Sequence, residues 1–149
     1  MNITRPNFGS YELKENYLAL SYYAKERARW PQLCIPPFSK QEVEIAVFSL
    51  ARHFQIIIDR LIFTTEGLIS TASSRSITLS LDGLTWLVIA HELAHCMYFQ
   101  HYYPTMIHRR YHGQVHSLFV DAICRYIIKR GWLKKSTLHK PVFRIKDED

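Results

Sequence analysis

The sequence predicts an α+β domain in which helices pack on a small, about three-stranded mixed sheet. Three observations predict it. Ile77-Thr78-Leu79-Ser80-Leu81 alternates apolar and polar residues, as a half-buried strand does. Directly afterwards, Leu84 to Gln100 is dense in apolar residues and holds no Gly or Pro, which predicts a buried helix over about 85–100. Two further stretches, opening at Ser39 and at Gly113, repeat apolar residues at helical spacing.

Taken in order, residues 1–10 form a loose lead-in. A first helix is predicted in "SYELKENYLALSYYAKERARW", with Leu13, Tyr17, Leu20 and Ala24 as its stripe. Pro31, Pro36 and Pro37 then impose an extended connection. Ser39 to Glu42 is a Ser-x-x-Glu capping pattern opening a helix with Val43, Ala46, Val47, Leu50 and Phe54 inward. The β-branched run "IIIDRLIFTTE" reads as strand in two pieces, Gly67 as a turn, and "LISTASS" and "RSITLSLDG" as the second and third strands. After the buried helix, "HYYPTMIHRRY" is a loop around Pro104. The last helix, "QVHSLFVDAICRYIIKR", is expected to bury Val115, Leu118, Phe119, Ala122, Ile123, Tyr126 and Ile127 and to end at Gly131.

At 149 residues, 48% hydrophobic and 21% charged, the chain has the size and composition of one soluble globular domain. Three cysteines (Cys34, Cys96, Cys124), with no Cys-x-x-Cys pair, argue against a disulfide framework and a thiolate zinc ribbon. Together with an N-terminus that does not read as a signal peptide, they point to a cytoplasmic protein. The longest apolar run is too short and too polar to span a bilayer, so no membrane is expected as a partner. The net charge of +6 is compatible with nucleic acid, but the basic residues are scattered and no recognition motif accompanies them.

The chemistry lies in the buried helix. His91 and His95 are four residues apart and stand on one helix face, where two imidazoles can hold one metal ion. Glu92, about 100° round the helix, is placed to act on a metal-bound water rather than to bind the metal. By luck alone, a chain of this His and Glu content would carry H-E-x-x-H roughly a few per cent of the time. The alternative is a hydrogen-bonded cluster with no metal. Zn2+ suits neutral imidazole in tetrahedral geometry, and a catalytic zinc takes three protein ligands. Three histidines compete for the third place. His101 has metzincin spacing but needs the chain to leave the helix at Tyr98, where a Gly usually permits the turn. His112, at the mouth of the last helix and separated from His95 by 16 residues, can fold back over the site and is the favoured ligand. His116, one turn further on, is a second-choice ligand or a neighbour of one. Asp121 reads as capping or orienting something rather than binding metal, Cys96 as a buried thiol facing away from the metal, His53 as a capping or surface residue, and Trp30, Trp86 and Trp132 as core.

"HELAH" followed by a short loop and His112-Gly113 opening a helix resembles the SprT-like and related minimal zincin metallopeptidases. The resemblance covers roughly the last two thirds of the chain. It implies a zincin-like fold, with zinc on His91, His95 and His112, Glu92 as general base and a polypeptide substrate. It also implies that the strand at about Ser76 to Leu81 is the edge along which that substrate lies. The domain division that follows is a helical lead-in over 1–38, a zincin-like metallohydrolase domain over 39–133 and a polar tail over 134–149. His116 stands where an aromatic is common, and the cysteine-rich ribbon frequent in relatives is missing. The activity implied is zinc-dependent peptide hydrolysis, in which Glu92 takes a proton from water and returns it to the leaving amine. Tyr103, Arg109 and Tyr111 are candidates to stabilise the oxyanion. Two other functions compete: a non-catalytic, nucleic-acid-associated binding domain, and a hydrolase of a non-protein amide.

Overall fold

The computed structural model describes residues 21–65, 70–102 and 113–138. Residues 21–29 form helix α1, followed by one 3-10 turn at Pro31–Leu33. Then come α2 (Lys40–His53), β1 (Arg60–Thr64), β2 (Thr71–Ala72), β3 (Ser76–Ser80), α3 (Trp86–Met97), a π-helical continuation at Tyr98–Tyr102, α4 (Gln114–Arg130) and α5 (Leu133–Leu138). The architecture is α+β with a three-stranded mixed sheet, as the sequence predicts.

The two helix starts follow their local chemistry. The Ser39 hydroxyl accepts the Glu42 N–H at 3.1 Å, and the Thr85 hydroxyl accepts the Val88 N–H at 3.2 Å. Each satisfies one of the donors that a first turn leaves open. Val43, Ala46, Val47 and Leu50 are buried on α2 as predicted. Gly131 ends α4 with a φ of 75°, a left-handed conformation that glycine adopts without a Cβ clash.

The strand order is β1-β3-β2, with β1 parallel and β2 antiparallel to β3. This corrects one expectation. The strand before the buried helix is the middle of the sheet, not an edge, because Arg60 to Thr64 pair along one side and Thr71 and Ala72 along the other. Of the β-branched run, only Arg60 onward joins the sheet. Ile57 is instead paired by a side chain: the Gln100 amide accepts its N–H and donates to its carbonyl, each at 2.8 Å, and donates to the Ser74 carbonyl as well.

Helix α3 runs through the core, packed against α4, β2, β3 and α2. Trp86, Leu87, Ile89, Ala90, Leu93, Ala94 and Cys96 are all buried, so this helix has little solvent face along its length. The Cys96 thiol points to the Ser73 carbonyl at 3.2 Å, away from the histidines, as expected. Two stripes differ from their predicted form. On α1, Leu13, Tyr17 and Leu20 of the predicted stripe lie outside the described residues, Ala24 is exposed, and Tyr23, Glu26 and Trp30 face inward. On α4, Leu118 is 58% exposed, and the buried set is His116, Val120, Asp121, Ile123, Cys124 and Ile127. Both helices are turned so that polar residues meet α3. Helix α5, expected to begin a polar tail, is held by Trp132 stacked on Trp86 and by Trp86 Nε1 donating to Ser136 Oγ at 3.1 Å.

Candidate metal centre

His91 and His95 lie one turn apart on α3, and His116, in the first turn of α4, meets them from the side. Each offers one ligand nitrogen, and these nitrogens lie within 4.8 Å of one another. His91 Nε2 and His95 Nε2 are 3.1 Å apart. Two nitrogens bound about 2.0 Å from one tetrahedral ion sit about 3.3 Å apart, so this pair is spaced for a shared cation. The His95 and His116 rings stack at 4.2 Å, and the His91 and His116 rings meet edge-on at 4.6 Å. All three residues are buried. A buried group of three neutral imidazoles could bind a metal ion, and the donor set fits one.

The nitrogens facing that centre are fixed by what holds the rings from behind. His91 Nδ1 lies 2.7 and 3.0 Å from the two carboxyl oxygens of Glu26 on α1. When Nε2 gives its lone pair to a metal, Nδ1 carries the proton and donates it to Glu26. A carboxylate behind a ligating imidazole sets its tautomer and makes it a better donor. His116 Nε2 donates to the His91 carbonyl at 3.1 Å, which leaves its buried Nδ1 as the nitrogen with a lone pair to offer.

Glu26 is held by its helix, and the helix by α4. Just beyond the helix, Trp30 Nε1 donates to Asp121 Oδ1 at 2.7 Å, and Arg29 pairs with Asp121 Oδ2 at 2.8 Å. Asp121 is thus the orienting residue the sequence suggests, and what it orients is α1. The Tyr23 ring lies 4.4 Å from the His91 ring on the same face.

Burial dominates the electrostatics. It pushes the Glu26 carboxyl up to about 8, with help from Asp121 and opposed by Arg27. It pushes Glu92 up to about 8 as well, with Glu26 adding to the rise. It holds His91 down at about 3. Both partners of the Glu26–His91 contact are therefore driven toward neutral forms. Without a cation this contact is a neutral hydrogen bond, whatever its ion-pair geometry. Two carboxyls and three imidazoles with so little charge between them are an environment that a divalent cation would stabilise.

Of the residues singled out from sequence, His91, His95 and His116 bring their ligand nitrogens together, and Glu92 is buried beside His91 on the same helix. His112, the favoured third ligand, lies outside the described residues, as do Tyr103, Arg109 and Tyr111. His101 is elsewhere, its Nε2 donating to the Phe54 carbonyl at 3.1 Å. The helix runs on past Tyr98 without a turn, as π-helix, and carries His101 away from the His91/His95 face. His53 is exposed at the end of α2 and stacks on Tyr126 at 3.9 Å. Glu26 and Tyr23 were missed. Their signal was the i, i+3, i+7 alignment of Tyr23, Glu26 and Trp30, obscured by the more apolar stripe through Leu20 and Ala24. No described helix is long and apolar enough to cross a membrane. Compared with known proteins, the chain matches no family model, no curated protein and no solved structure.

Proposed function

We propose that this chain is a zinc-dependent hydrolase of amide bonds, with the peptide bond as its substrate. The observation that supports it is the convergence of His91, His95 and His116 in one buried cluster, with Glu92 in the same helix turn as His91. Three imidazoles suit zinc and leave a fourth position for water or substrate. His116 takes the third place in this reading, since its ligand nitrogen lies within 4.8 Å of those of His91 and His95. A bound divalent ion supplies acidified water and polarises a carbonyl.

The chain's own groups do the rest. Glu26, through His91 Nδ1, fixes the ring that ligates. Glu92, deep in the site, takes the proton of the attacking water as the carbon–oxygen bond forms. It returns that proton to the amine nitrogen as the carbon–nitrogen bond breaks. Its raised affinity for a proton suits the second role, and a nearby cation favours the carboxylate needed for the first.

Metal content and turnover test this together. Wild type should hold about one zinc per chain, His116→Ala should lose it and His101→Ala should keep it. Retention in His116→Ala with loss in His112→Ala would move the third ligand to His112. Zinc-loaded wild type should digest an unfolded protein, and Glu92→Gln should bind zinc yet cleave at least a hundredfold more slowly. Equal turnover by the two would remove the hydrolase.

The burial of His91, Glu92 and His116, at 1%, 3% and 0% exposed, favours one further reading, a small non-protein amide as substrate. A panel of acylated amines run beside the unfolded protein separates the two.

A further inference from the structure

The basic run from Lys129 to Lys135 takes no part in the metal centre. It lies where α4 ends and α5 begins, and a row of rings meets it there. His53, the last residue of α2, stacks on Tyr126 at 3.9 Å with the planes 20° apart. The Tyr126 ring meets Trp132 edge-on at 6.2 Å. The Arg130 guanidinium lies 5.9 Å from the Tyr126 ring centre and 5.1 Å from that of Trp132, and donates to the Tyr126 hydroxyl at 3.4 Å. Lys129, three residues after Tyr126, is on the same side of α4. The Lys134 side chain runs past Gly131, its Cδ and Cε 3.9 Å from where a Cβ on that glycine would lie. His53, Lys129, Arg130 and Lys134 are all exposed, and neither lysine makes an ion pair among the described residues. The two stretches that build this face carry no acid of their own, since no Asp or Glu occurs from Ile45 to Ile58 or from Ala122 to Leu138.

Cations gathered without a counter-charge favour an anion that spans them. A run of phosphates is such an anion, and unpaired bases bring flat faces for the rings and the guanidinium. A carboxylate-rich polypeptide would satisfy the lysines but give the rings nothing of matching shape. A duplex keeps its bases stacked inside. We propose that this face binds single-stranded nucleic acid, with phosphates on Lys129, Arg130 and Lys134 and one base on the exposed ring of His53. That base extends the His53–Tyr126 stack by one member, and Tyr126 holds the imidazole in place to receive it. The proposal stands apart from the hydrolase reading, because none of these residues belongs to the histidine cluster.

The full chain is titrated into a fluorescein-labelled oligothymidylate of twenty nucleotides and followed by anisotropy. Wild type should bind at about 50 mM salt, and the logarithm of its affinity should fall against the logarithm of salt with a slope of roughly −2, as about three phosphate contacts on a single strand require. Lys129→Glu combined with Lys134→Glu should weaken binding roughly tenfold or more. His53→Ala should weaken it roughly tenfold, the loss of one stacked base. An abasic strand of the same length offers the same phosphates without bases. It should bind wild type more weakly than the oligothymidylate does, and His53→Ala should leave its affinity unchanged. Circular dichroism checks that the variants, all at exposed positions, keep the fold. No binding by wild type at about 50 mM salt, full affinity in either folded variant, or an abasic strand that binds wild type as tightly overturns the proposal. Should a variant unfold, the comparison of the two strands on wild type decides alone. None of these readouts uses metal or turnover, so their failure leaves the hydrolase reading standing.

Discussion

Glu26 shows how one side chain decides what a neighbouring ring can do. With its carboxyl 2.7 Å from His91 Nδ1, the imidazole must present Nε2 to the centre it shares with His95 and His116. Glu26→Gln keeps the volume and one acceptor but removes the charge that a metal-loaded imidazole leans on. We expect its zinc affinity to fall roughly 10- to 100-fold, measured by competition with a chromophoric chelator, with the fold intact by circular dichroism. An unchanged affinity would mean the contact only packs α1. At this scale the sequence was legible where residues act through local spacing. The four-residue interval between His91 and His95 is a property of any helix, so it could be read without coordinates. Glu26 is 65 residues from His91. Nothing local ties the two, and only the packing of α1 brings them together.

Among the elements, α4 carries the clearest conflict between pattern and placement. Apolar periodicity alone would bury Leu118. The structure exposes it and buries His116 and Asp121 instead. The helix gives up one leucine's burial so that His116 can reach α3 and Asp121 can hold Trp30 and Arg29. Leu118→Ala should then change stability by less than about 0.5 kcal/mol, as at an ordinary surface position. Ile123→Ala, at a fully buried site, should cost about 2–5 kcal/mol through lost contacts and a cavity. Urea melts of the two variants check this, and equal losses would restore the predicted stripe. The other elements were legible in proportion to their local signals. The capped start of α2 was visible because Ser39 acts within three residues. The sheet order was not, since the β1-β3-β2 arrangement depends on pairing across the chain and on a β2 of only two residues.

For the whole molecule, the site is a concentrated electrostatic cost that a cation would relieve. In the metal-free protein Glu26 and Glu92 hold their protons up to about 8, against an ordinary carboxyl value of 4.5. Between those limits the folded chain binds these protons and the unfolded chain does not. Stability therefore falls as pH rises through this window. His91, lowered from 6.5 to about 3, acts in the opposite sense, but only between those two values. From pH 6.5 to 8 the carboxyls act without that opposition, so the stripped protein should lose melting temperature steadily over this interval. A divalent ion on the three histidines favours both carboxylates and should flatten the slope. At free zinc a hundred times its Kd, binding adds about 2.7 kcal/mol, which for a domain of this size raises the melting temperature by roughly 5–10 °C. The gap between loaded and stripped protein should then widen from pH 6.5 to 8, as calorimetry at the two pH values would show. A constant gap would mean that the buried carboxyls do not sense the metal. It would separate Glu26 and Glu92 from the histidine cluster in function, however close they stand in the fold.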